Sequence, residues 1–236
     1  MEIGERKTSL IRPKVANVDL AVIVFAVKNP QIDTNLLDRF IVLAEERNLN
    51  VAIVLNKIDL DEEKSYVEIK DIYENAGFQV ICHSALTGEG NEELKELFSG
   101  KVSVLAGPSG VGKSSLIMSL NPEISLEVGE LSAKIERGKH TTRHAELMEV
   151  FPGSFIVDSP GFSSLYINHI NLEDLEKYFR EFEPYILDCY FSGCRHIGET
   201  KCAVKEQVGE KISKSRYEHY VKFFSELEEE RKYRYD

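Results

Sequence analysis

The stretch "KVSVLAGPSGVGKSSLIMSL", residues 101–120, joins an apolar run, a glycine-rich turn and a second apolar run. Its centre, "GPSGVGKS" at 107–114, fits the pattern G-x-x-x-x-G-K-[ST] at every fixed position. In this pattern, backbone N–H groups of the turn and of the following helix converge on phosphate oxygens. A glycine-rich turn in an α/β protein that binds no nucleotide is the alternative. It is disfavoured because the pattern and its strand-turn-helix context agree.

The residues of this loop have distinct expected roles. Its glycines permit backbone conformations and a close approach that a Cβ atom would hinder. Lys113 would bridge the β- and γ-phosphates, and Ser114 would ligate Mg²⁺. The residues that we expect to contact the nucleotide here are Gly107, Pro108, Ser109, Gly110, Val111, Gly112, Lys113, Ser114 and Ser115.

The segments before this loop predict an α/β fold. Continuous apolar runs at 20–27, 51–55 and 79–85 are typical of strands that are buried on both faces. The segments between them, 34–47 and 62–77, carry apolar residues at helical spacing. This alternation predicts a mostly parallel sheet with helices on both faces.

The segments after the third run complete the predicted fold. A helix is expected to follow Asn91 as its N-cap. Strands at 145–151 and 154–159 are expected to form a hairpin, so that one of them is antiparallel. Helices at 171–182 and 215–233 then predict a small α-helical region at the end of the chain.

The composition limits the kind of protein this can be. With 236 residues, 42% of them hydrophobic, the chain can form one large domain or a medium domain with a small appendage. We find no apolar run of membrane-span length and no signal peptide in "MEIGERKTSL", so we expect a cytoplasmic protein without membrane contact. The net charge of −11 excludes a uniformly basic nucleic-acid coat, but not a local basic patch.

The tetrapeptide "NKID", residues 56–59, follows a predicted buried strand, where open α/β sheets bind ligands. Asp59 could accept hydrogen bonds from guanine N1–H and the N2 amine, a donor pair that adenine lacks. Asn56 would support neighbouring loops or reach the base edge, and the Lys57 stem would cover the ring. Solvated polar residues are the alternative, but the phosphate-binding pattern in the same chain favours guanine recognition.

The tripeptide "SAL", residues 84–86, follows the next predicted strand. In GTPases, a Ser-Ala-x turn at this place offers backbone N–H groups to guanine O6. Ser84 and Ala85 are therefore candidate base-binding residues. Three letters do not suffice alone, and this match supports the interpretation of "NKID".

Two later segments are candidates for γ-phosphate sensing and Mg²⁺ binding. In "DSPG", Asp158 would hold Mg²⁺ through water and the Gly161 N–H would contact the γ-phosphate. In "GKHTTRHAE", Thr141 or Thr142 would complete the Mg²⁺ shell, and the sequence does not choose between them. The adjacent His140 could orient water, with an ordinary loop histidine as an equal alternative.

The residue after "DSPG" bears on the rate of hydrolysis. Many GTPases have Gln there to position the attacking water, whereas this chain has Phe162. A phenyl ring cannot hold water in this way. Slow intrinsic hydrolysis is therefore expected, unless another group supplies the function.

The segment "CYFSGCRHIGETKC", residues 189–202, is a candidate metal site. Its candidate ligands are Cys189, Cys194, His196 and Cys202. Three thiolates and one imidazole make a closed tetrahedral zinc site, which would be structural and would stabilise a subdomain too small to fold on its own core. Free cysteines with a surface histidine are the alternative, and a disulfide is disfavoured in the cytoplasm. Cys82 is interpreted as a core residue of a strand.

The order of these motifs is unusual. An ordinary GTPase has the phosphate loop, the switch threonine, D-x-x-G, N-K-x-D and S-A-x in that order. Here the same set runs "NKID", "SAL", "GPSGVGKSS", "HTT" and "DSPG". With the downstream C-x4-C-x-H-x5-C, this rotated order resembles the RsgA (YjeQ) family of circularly permuted GTPases. "RPKVANVD" at 12–19 and "SRYEHYVKF" at 215–223 also look like that family, so the resemblance covers nearly the whole chain.

The resemblance implies a domain organisation. Residues 1–17 would be a linker or the remnant of an N-terminal OB-fold domain. Residues 18–165 would form the circularly permuted P-loop GTPase domain, and residues 166–236 a zinc-binding α-helical domain. The family often has a third threonine in its switch loop, where this chain has Arg143.

The resemblance also implies a function. It implies a GTPase that uses GTP and Mg²⁺, releases GDP, carries one structural Zn²⁺ and is stimulated by the small (30S) ribosomal subunit late in its maturation. A monomer that contacts ribosomal RNA is expected, and the family implicates the histidine that corresponds to His140 in hydrolysis. The main alternative is a GTP-gated docking factor, in which hydrolysis only times release. A P-loop kinase is a further alternative, and it leaves "NKID" and "SAL" unexplained.

Overall fold

A six-stranded sheet forms the centre of the computed structural model, which describes residues 18–124, 147–157 and 165–234. The strands are β1 (Leu20–Ala26), β2 (Asn50–Asn56), β3 (Gln79–His83), β4 (Val102–Ala106), β5 (Leu147–Phe151) and β6 (Ser154–Val157). Their order across the sheet is β3-β2-β1-β4-β6-β5. Neighbouring strands are parallel except for the hairpin of β5 and β6, so the predicted mostly parallel sheet is confirmed.

Helices cover both faces of this sheet. They are α1 (Thr34–Glu45), α2 (Tyr66–Asn75), α3 (Asn91–Phe98) and α4 (Lys113–Leu120). Because successive side chains of a strand point to opposite faces, β1 supplies two separate cores. Ile23 and Phe25 pack in the core that contains α1 and α2, whereas Val22 and Val24 pack in the core that contains α3 and α4.

The prediction that Asn91 is an N-cap was wrong. The residue before α3 is Gly90, in a left-handed conformation, and Asn91 is the first residue of the helix. Its side chain bonds away from the helix end instead, with Nδ2 donating to the Ser119 carbonyl of α4 at 3.2 Å. The oxygen that a cap would use, Oδ1, accepts from the Ser119 hydroxyl at 3.2 Å instead.

The region after β6 packs against the α1 face of the sheet. It contains two 3-10 segments (Leu172–Tyr178 and Arg180–Phe182), two short helices, α5 (Glu183–Ile186) and α6 (Ala203–Glu206), and the long helix α7 (Lys214–Arg234). Aromatic side chains of the 3-10 segments and α7 share one apolar core with α1. In the part of the chain that the structure describes, no helix is long and apolar enough to cross a membrane.

The predicted helix at 171–182 has a different form. The backbone is 3-10 and breaks at Phe179, where φ is −112° and ψ is 83°. Phe179 and Phe182 stack with ring centroids 5.4 Å apart and are both buried against α7. The Phe182 N–H donates to the Phe179 carbonyl at 2.9 Å, which closes the turn that carries this stacked pair.

A buried ionic cluster fixes α7 to the sheet domain. The Arg216 guanidinium donates to both Glu181 carboxylate oxygens at 2.7 and 2.9 Å and to Asp38 Oδ1 at 2.6 Å. His219 and Tyr73 complete the shell of Asp38, at 2.5 and 2.8 Å. Burial opposes the charge of Arg216, but the two carboxylates outweigh burial and raise its pKa. The cluster thus joins α1, α2, the second 3-10 segment and α7 through one buried guanidinium and two buried carboxylates.

Candidate functional site

The loops that carry the nucleotide-binding motifs meet at one edge of the sheet. In the parallel register, Asn56 at the end of β2 pairs with Ala26 on one side and with His83 on the other. Strand β4, which leads into the phosphate loop, lies on the far side of β1. The carboxyl ends of parallel strands are where α/β sheets bind ligands. The structure therefore brings "NKID", "SAL" and "GPSGVGKS" together.

Glycines shape the phosphate loop by permitting positive φ and close contacts. Gly107 has φ of 138° and Gly112 has φ of 95°. A Cβ atom on Gly107 would lie 2.1 Å from the Val24 carbonyl oxygen, and one on Gly112 would lie 2.5 Å from Asn56 Nδ2. Both positions thus require glycine for the loop to pack against its neighbours.

Lys113 and Ser114 open α4 directly after the loop, and both are buried. The Lys113 ammonium donates to the carbonyl oxygens of Gly107 and Pro108 at 2.7 and 2.8 Å. The amine is therefore held over the loop by backbone oxygens. An anionic phosphate placed there would offer it a stronger, charge-assisted partner.

The "NKID" residues brace the phosphate loop. Asn56 Nδ2 donates to the Val111 carbonyl at 2.8 Å, and its Oδ1 lies 2.8 Å from His83 Nδ1. Lys57 is in a left-handed conformation, and its ammonium donates to the Gly110 carbonyl at 2.7 Å and to the carbonyl of Asn29. Of the two roles expected for Asn56, the geometry matches support of a neighbouring loop.

The two candidate base-reading motifs are joined directly. Ser84 donates its hydroxyl to Asp59 Oδ1 at 2.5 Å and accepts from the Thr87 N–H at 3.2 Å. Asp59 is exposed in the middle of a 3-10 turn, Ile58–Leu60. Ala85, which follows Ser84, is half-buried. The Ser84 contact holds the carboxylate next to the "SAL" turn, as joint recognition of one base requires.

The four candidate metal ligands converge. They are Cys189, Cys194, His196 and Cys202, and their ligand atoms all lie within 4.8 Å of one another. The Sγ atoms of Cys189 and Cys202 are 3.8 Å apart, and His196 Nδ1 lies 3.6 and 3.3 Å from them. A tetrahedral zinc ion with ordinary bond lengths separates two sulfurs by about 3.8 Å and a sulfur and a nitrogen by about 3.5 Å. The geometry therefore suits zinc.

An acidic residue orients the histidine of this cluster. Nε2 of His196 lies 3.1 Å from Glu176 Oε2, which leaves Nδ1 as the atom that faces the sulfurs. The ring is buried and lies edge-on to Phe182, and its backbone carbonyl accepts from the Tyr217 hydroxyl at 2.6 Å. A carboxylate behind a ligating imidazole fixes its tautomer and raises its basicity. Sequence reasoning missed Glu176, since only the fold brings it to His196.

Burial controls the protonation of these ligands. It raises the pKa of Cys194 to about 12 and also raises the pKa of Cys202, so both are neutral thiols without a metal ion. Burial lowers the pKa of His196 against the opposing charge of Glu176, which keeps the imidazole neutral. A divalent ion would displace the thiol protons, because metal binding requires thiolates.

Several predicted residues lie outside the described ranges. They are His140, Thr141, Thr142, Asp158 and Gly161. Their roles in Mg²⁺ binding and hydrolysis stay predictions. Sequence reasoning also passed over His83, although a histidine directly before "SAL" at a strand end could have been noticed.

Comparisons with known proteins agree with this site. A family model described as RsgA GTPase matches residues 3–168. A small ribosomal subunit biogenesis GTPase RsgA from Geobacillus kaustophilus is 49% identical over 240 residues, which cover 100% of this chain and 81% of that protein. The protein of the same description from Alkaliphilus metalliredigens is 46% identical over 233 residues, which cover 98% of this chain and 80% of that protein.

Solved structures show the same likeness. YjeQ from Thermotoga maritima superposes with a TM-score of 0.79 at 43% identity, covering 96% of this chain and 77% of that one. YloQ, described as a circularly permuted GTPase, superposes with a TM-score of 0.75 at 35% identity, covering 97% of this chain and 75% of that one.

The sheet, with "NKID" before the phosphate loop in the chain but beside it in space, defines the class as a circularly permuted GTPase. The chain belongs to the RsgA GTPase family. The resemblance seen in the order of the motifs is thereby confirmed.

Proposed function

We propose that this protein binds GTP with Mg²⁺, hydrolyses it when stimulated by the small ribosomal subunit, and acts in the cytoplasm in late maturation of that subunit. The observation that carries the proposal is the bond from Asn56 to Val111, which joins a guanine motif to a phosphate loop. Relatives that are 46–49% identical are named small ribosomal subunit biogenesis GTPases, which supports the choice of partner.

In this proposal the nucleotide lies across the sheet edge. Asp59 accepts from the guanine N1–H and N2 amine, and the N–H groups of Ser84 and Ala85 face O6. Residues 107–115 hold the phosphates, and Lys113 exchanges its carbonyl partners for phosphate oxygens. Preorganised donors of this kind stabilise the charge that develops as the γ-phosphoryl group leaves.

The Mg²⁺ ion would supply charge neutralisation between the β- and γ-phosphates. Ser114 is the proposed ligand from α4, and Thr142 or its neighbour Thr141 the ligand from the switch loop. Asp158 would act through water, and Gly161 would donate its N–H to the γ-phosphate. His140 is the proposed water-orienting group, because Phe162 cannot take that role.

We propose further that the Cys/His cluster holds one structural zinc ion. All four donors belong to the protein, so no position is left open for substrate. Cys194 and Cys202 already lie in the buried core, and Cys189 packs against it. The ion would therefore hold the whole segment 189–202 on that core. Its part would be to keep the surface of this region in one shape for ribosomal RNA.

Steady-state GTP turnover with and without purified small subunits tests the proposal. We expect slow turnover alone and at least roughly tenfold stimulation by small subunits, because a partner can supply or position catalytic groups. Large subunits at the same RNA concentration are the control and should not stimulate. Equal turnover in all three samples would contradict stimulation by the small subunit, and no turnover in any sample would contradict the enzymatic role. Nucleotide-dependent subunit binding without stimulation would favour the docking factor instead.

A further inference from the structure

The imidazole of His83 is fully buried at the end of β3, between the base-reading and phosphate-binding loops. Its two ring nitrogens contact β2, α3 and α4. We propose that His83 is a positioning residue for nucleotide binding, which holds Asn56 in the orientation that shapes the phosphate loop. This inference rests on the proposed function of the site and adds a residue to it.

The Nδ1 side of the ring sets the Asn56 carboxamide. Asn56 Nδ2 donates to the Val111 carbonyl at 2.8 Å, so Oδ1 is the atom that faces the ring. An amide oxygen only accepts hydrogen bonds, so this contact is a hydrogen bond when His83 Nδ1 carries the hydrogen, which is the tautomer we propose. Without this donor, His83 would no longer select Oδ1 over Nδ2 as the atom that faces β3, and the Asn56 carboxamide could rotate by a half turn.

The direction of the Val111 carbonyl matters for the phosphates. In a planar trans peptide, the carbonyl and the next N–H point in opposite directions. A Val111 carbonyl that points at Asn56 therefore turns the Gly112 N–H away from Asn56. The phosphate-loop pattern uses such N–H groups to bind phosphate oxygens. His83 thus acts on phosphate affinity through Asn56, without touching the nucleotide.

The Nε2 side keeps the ring in place. Nε2 lies 3.0 Å from Asn91 Oδ1 and 3.3 Å from Ser119 Oγ. Asn91 is fixed in turn, because its Nδ2 donates to the Ser119 carbonyl at 3.2 Å. Burial lowers the pKa of His83 against the contact with Asn91 and the charge of Asp59, so the ring is neutral near pH 7. A neutral ring carries one hydrogen, although amide oxygens face both of its nitrogens. The shorter contact, to Asn56 at 2.8 Å, favours hydrogen on Nδ1, and Nε2 is then the acceptor that faces the Ser119 hydroxyl.

A matched pair of variants separates positioning from simple space filling. In His83→Asn, the side-chain amide nitrogen can take the place of Nδ1 and keep the donor to Asn56. In His83→Gln, the amide lies at the place of Nε2, and the donor to Asn56 is lost. We expect GDP affinity of the full chain to fall roughly tenfold in His83→Gln, since one positioned hydrogen bond is lost, and to stay within about twofold in His83→Asn. The midpoint of thermal unfolding without nucleotide checks that each variant is folded.

Equal GDP affinity in both variants, whether retained or lost, would overturn the inference. A second measurement needs no variant: nitrogen chemical shifts of the His83 ring in the wild-type protein report which nitrogen carries hydrogen. We expect hydrogen on Nδ1 at neutral pH, and a bare Nδ1 with hydrogen on Nε2 would overturn the proposal. If the wild-type protein binds neither GDP nor GTP, the proposed function fails instead, and the ring measurement still decides the role of His83.

Discussion

At the scale of single residues, the phosphate loop is constrained by its own protein neighbours as well as by any nucleotide. Gly107 lies against the backbone of β1, where the obstructing atom is the Val24 carbonyl oxygen. Gly110, three residues later, has open space around it, with Pro30 Cδ the nearest atom to an added Cβ at 3.9 Å. Two glycines of one motif should therefore respond differently to substitution.

Gly107→Ala is expected to destabilise the apo protein by at least about 3 kcal/mol, because a Cβ atom would collide with backbone at positive φ. Gly110→Ala should cost only about 1 kcal/mol, the strain of its left-handed conformation. Urea unfolding without nucleotide measures both. Similar midpoints for the two variants would contradict the role assigned to the Val24 carbonyl.

Asp59→Asn is expected to change base preference. The variant cannot accept from guanine N1–H and N2 together, and its amide can donate to the C2 carbonyl of xanthine, so GTP affinity should fall roughly a hundredfold and XTP affinity should rise. Competition against a fluorescent guanine nucleotide measures the change. Ser84→Ala is the control: it removes the 2.5 Å bond to Asp59 but keeps the carboxylate, and guanine should stay preferred. Unchanged GTP affinity in Asp59→Asn would exclude Asp59 from base reading.

Residues that belong to contiguous motifs could be found from the sequence, and residues that act across the fold could not. Lys113 and Asp59 stand in recognisable patterns. Glu176 reaches His196 only because the 3-10 segment packs on the cysteine-rich loop. His83 contacts side chains from three other elements. No spacing along the chain encodes such contacts, although the place of His83 directly before "SAL" could have marked it as a candidate.

At the scale of elements, burial on both faces made the strands predictable, and local side-chain bonds moved the helix ends. The run expected as a helix from residue 62 becomes α2 only at Tyr66. Asp61 accepts from the Ser65 hydroxyl at 2.7 Å and from the Tyr66 N–H at 3.1 Å, which holds the preceding turn. The spacing of apolar residues does not show where a side chain such as Asp61 bonds to the backbone in place of a helical turn.

The cysteine-rich loop gives a prediction at this scale. Glu176→Ala should weaken zinc binding 10- to 100-fold, because the carboxylate behind His196 orients the ligand. Cys202→Ser should lose the metal, and the matched control Cys82→Ser should keep one zinc per chain, since Cys82 lies in β3. Competition with a coloured chelator measures affinity, and nucleotide binding should persist in all three variants. Full zinc affinity in Glu176→Ala would show that the carboxylate does not orient His196 for metal binding.

At the scale of the whole molecule, α7 is anchored to the face of the sheet that α1 and α2 cover. The anchor is Arg216, which is 1% exposed and paired with two buried carboxylates. A second pair, Arg39 with Glu226 at 2.6 Å, lies at the same contact but is partly exposed. Removing one partner of a buried ion pair destabilises the protein more than removing one partner of an exposed pair. Only the buried pair leaves an uncompensated charge in the interior.

Arg216→Met is expected to destabilise the protein by about 3–5 kcal/mol, since Asp38 and Glu181 would be left buried without their cation. Arg39→Met should cost about 1 kcal/mol or less. Urea unfolding at pH 7 measures both variants. Equal costs would show that burial of the Arg216 cluster does not decide its contribution.

The strand order has a consequence for how the protein comes into being. Leu20 pairs with Asn50 on one side and with Ser103 on the other. During synthesis, β1, α1, β2, α2 and β3 emerge together and can pair as neighbours, while β1 keeps one edge open until β4 arrives. The changed order of the motifs therefore sets the order of synthesis: the segment that carries "NKID" and "SAL" is made first, and the phosphate loop follows it.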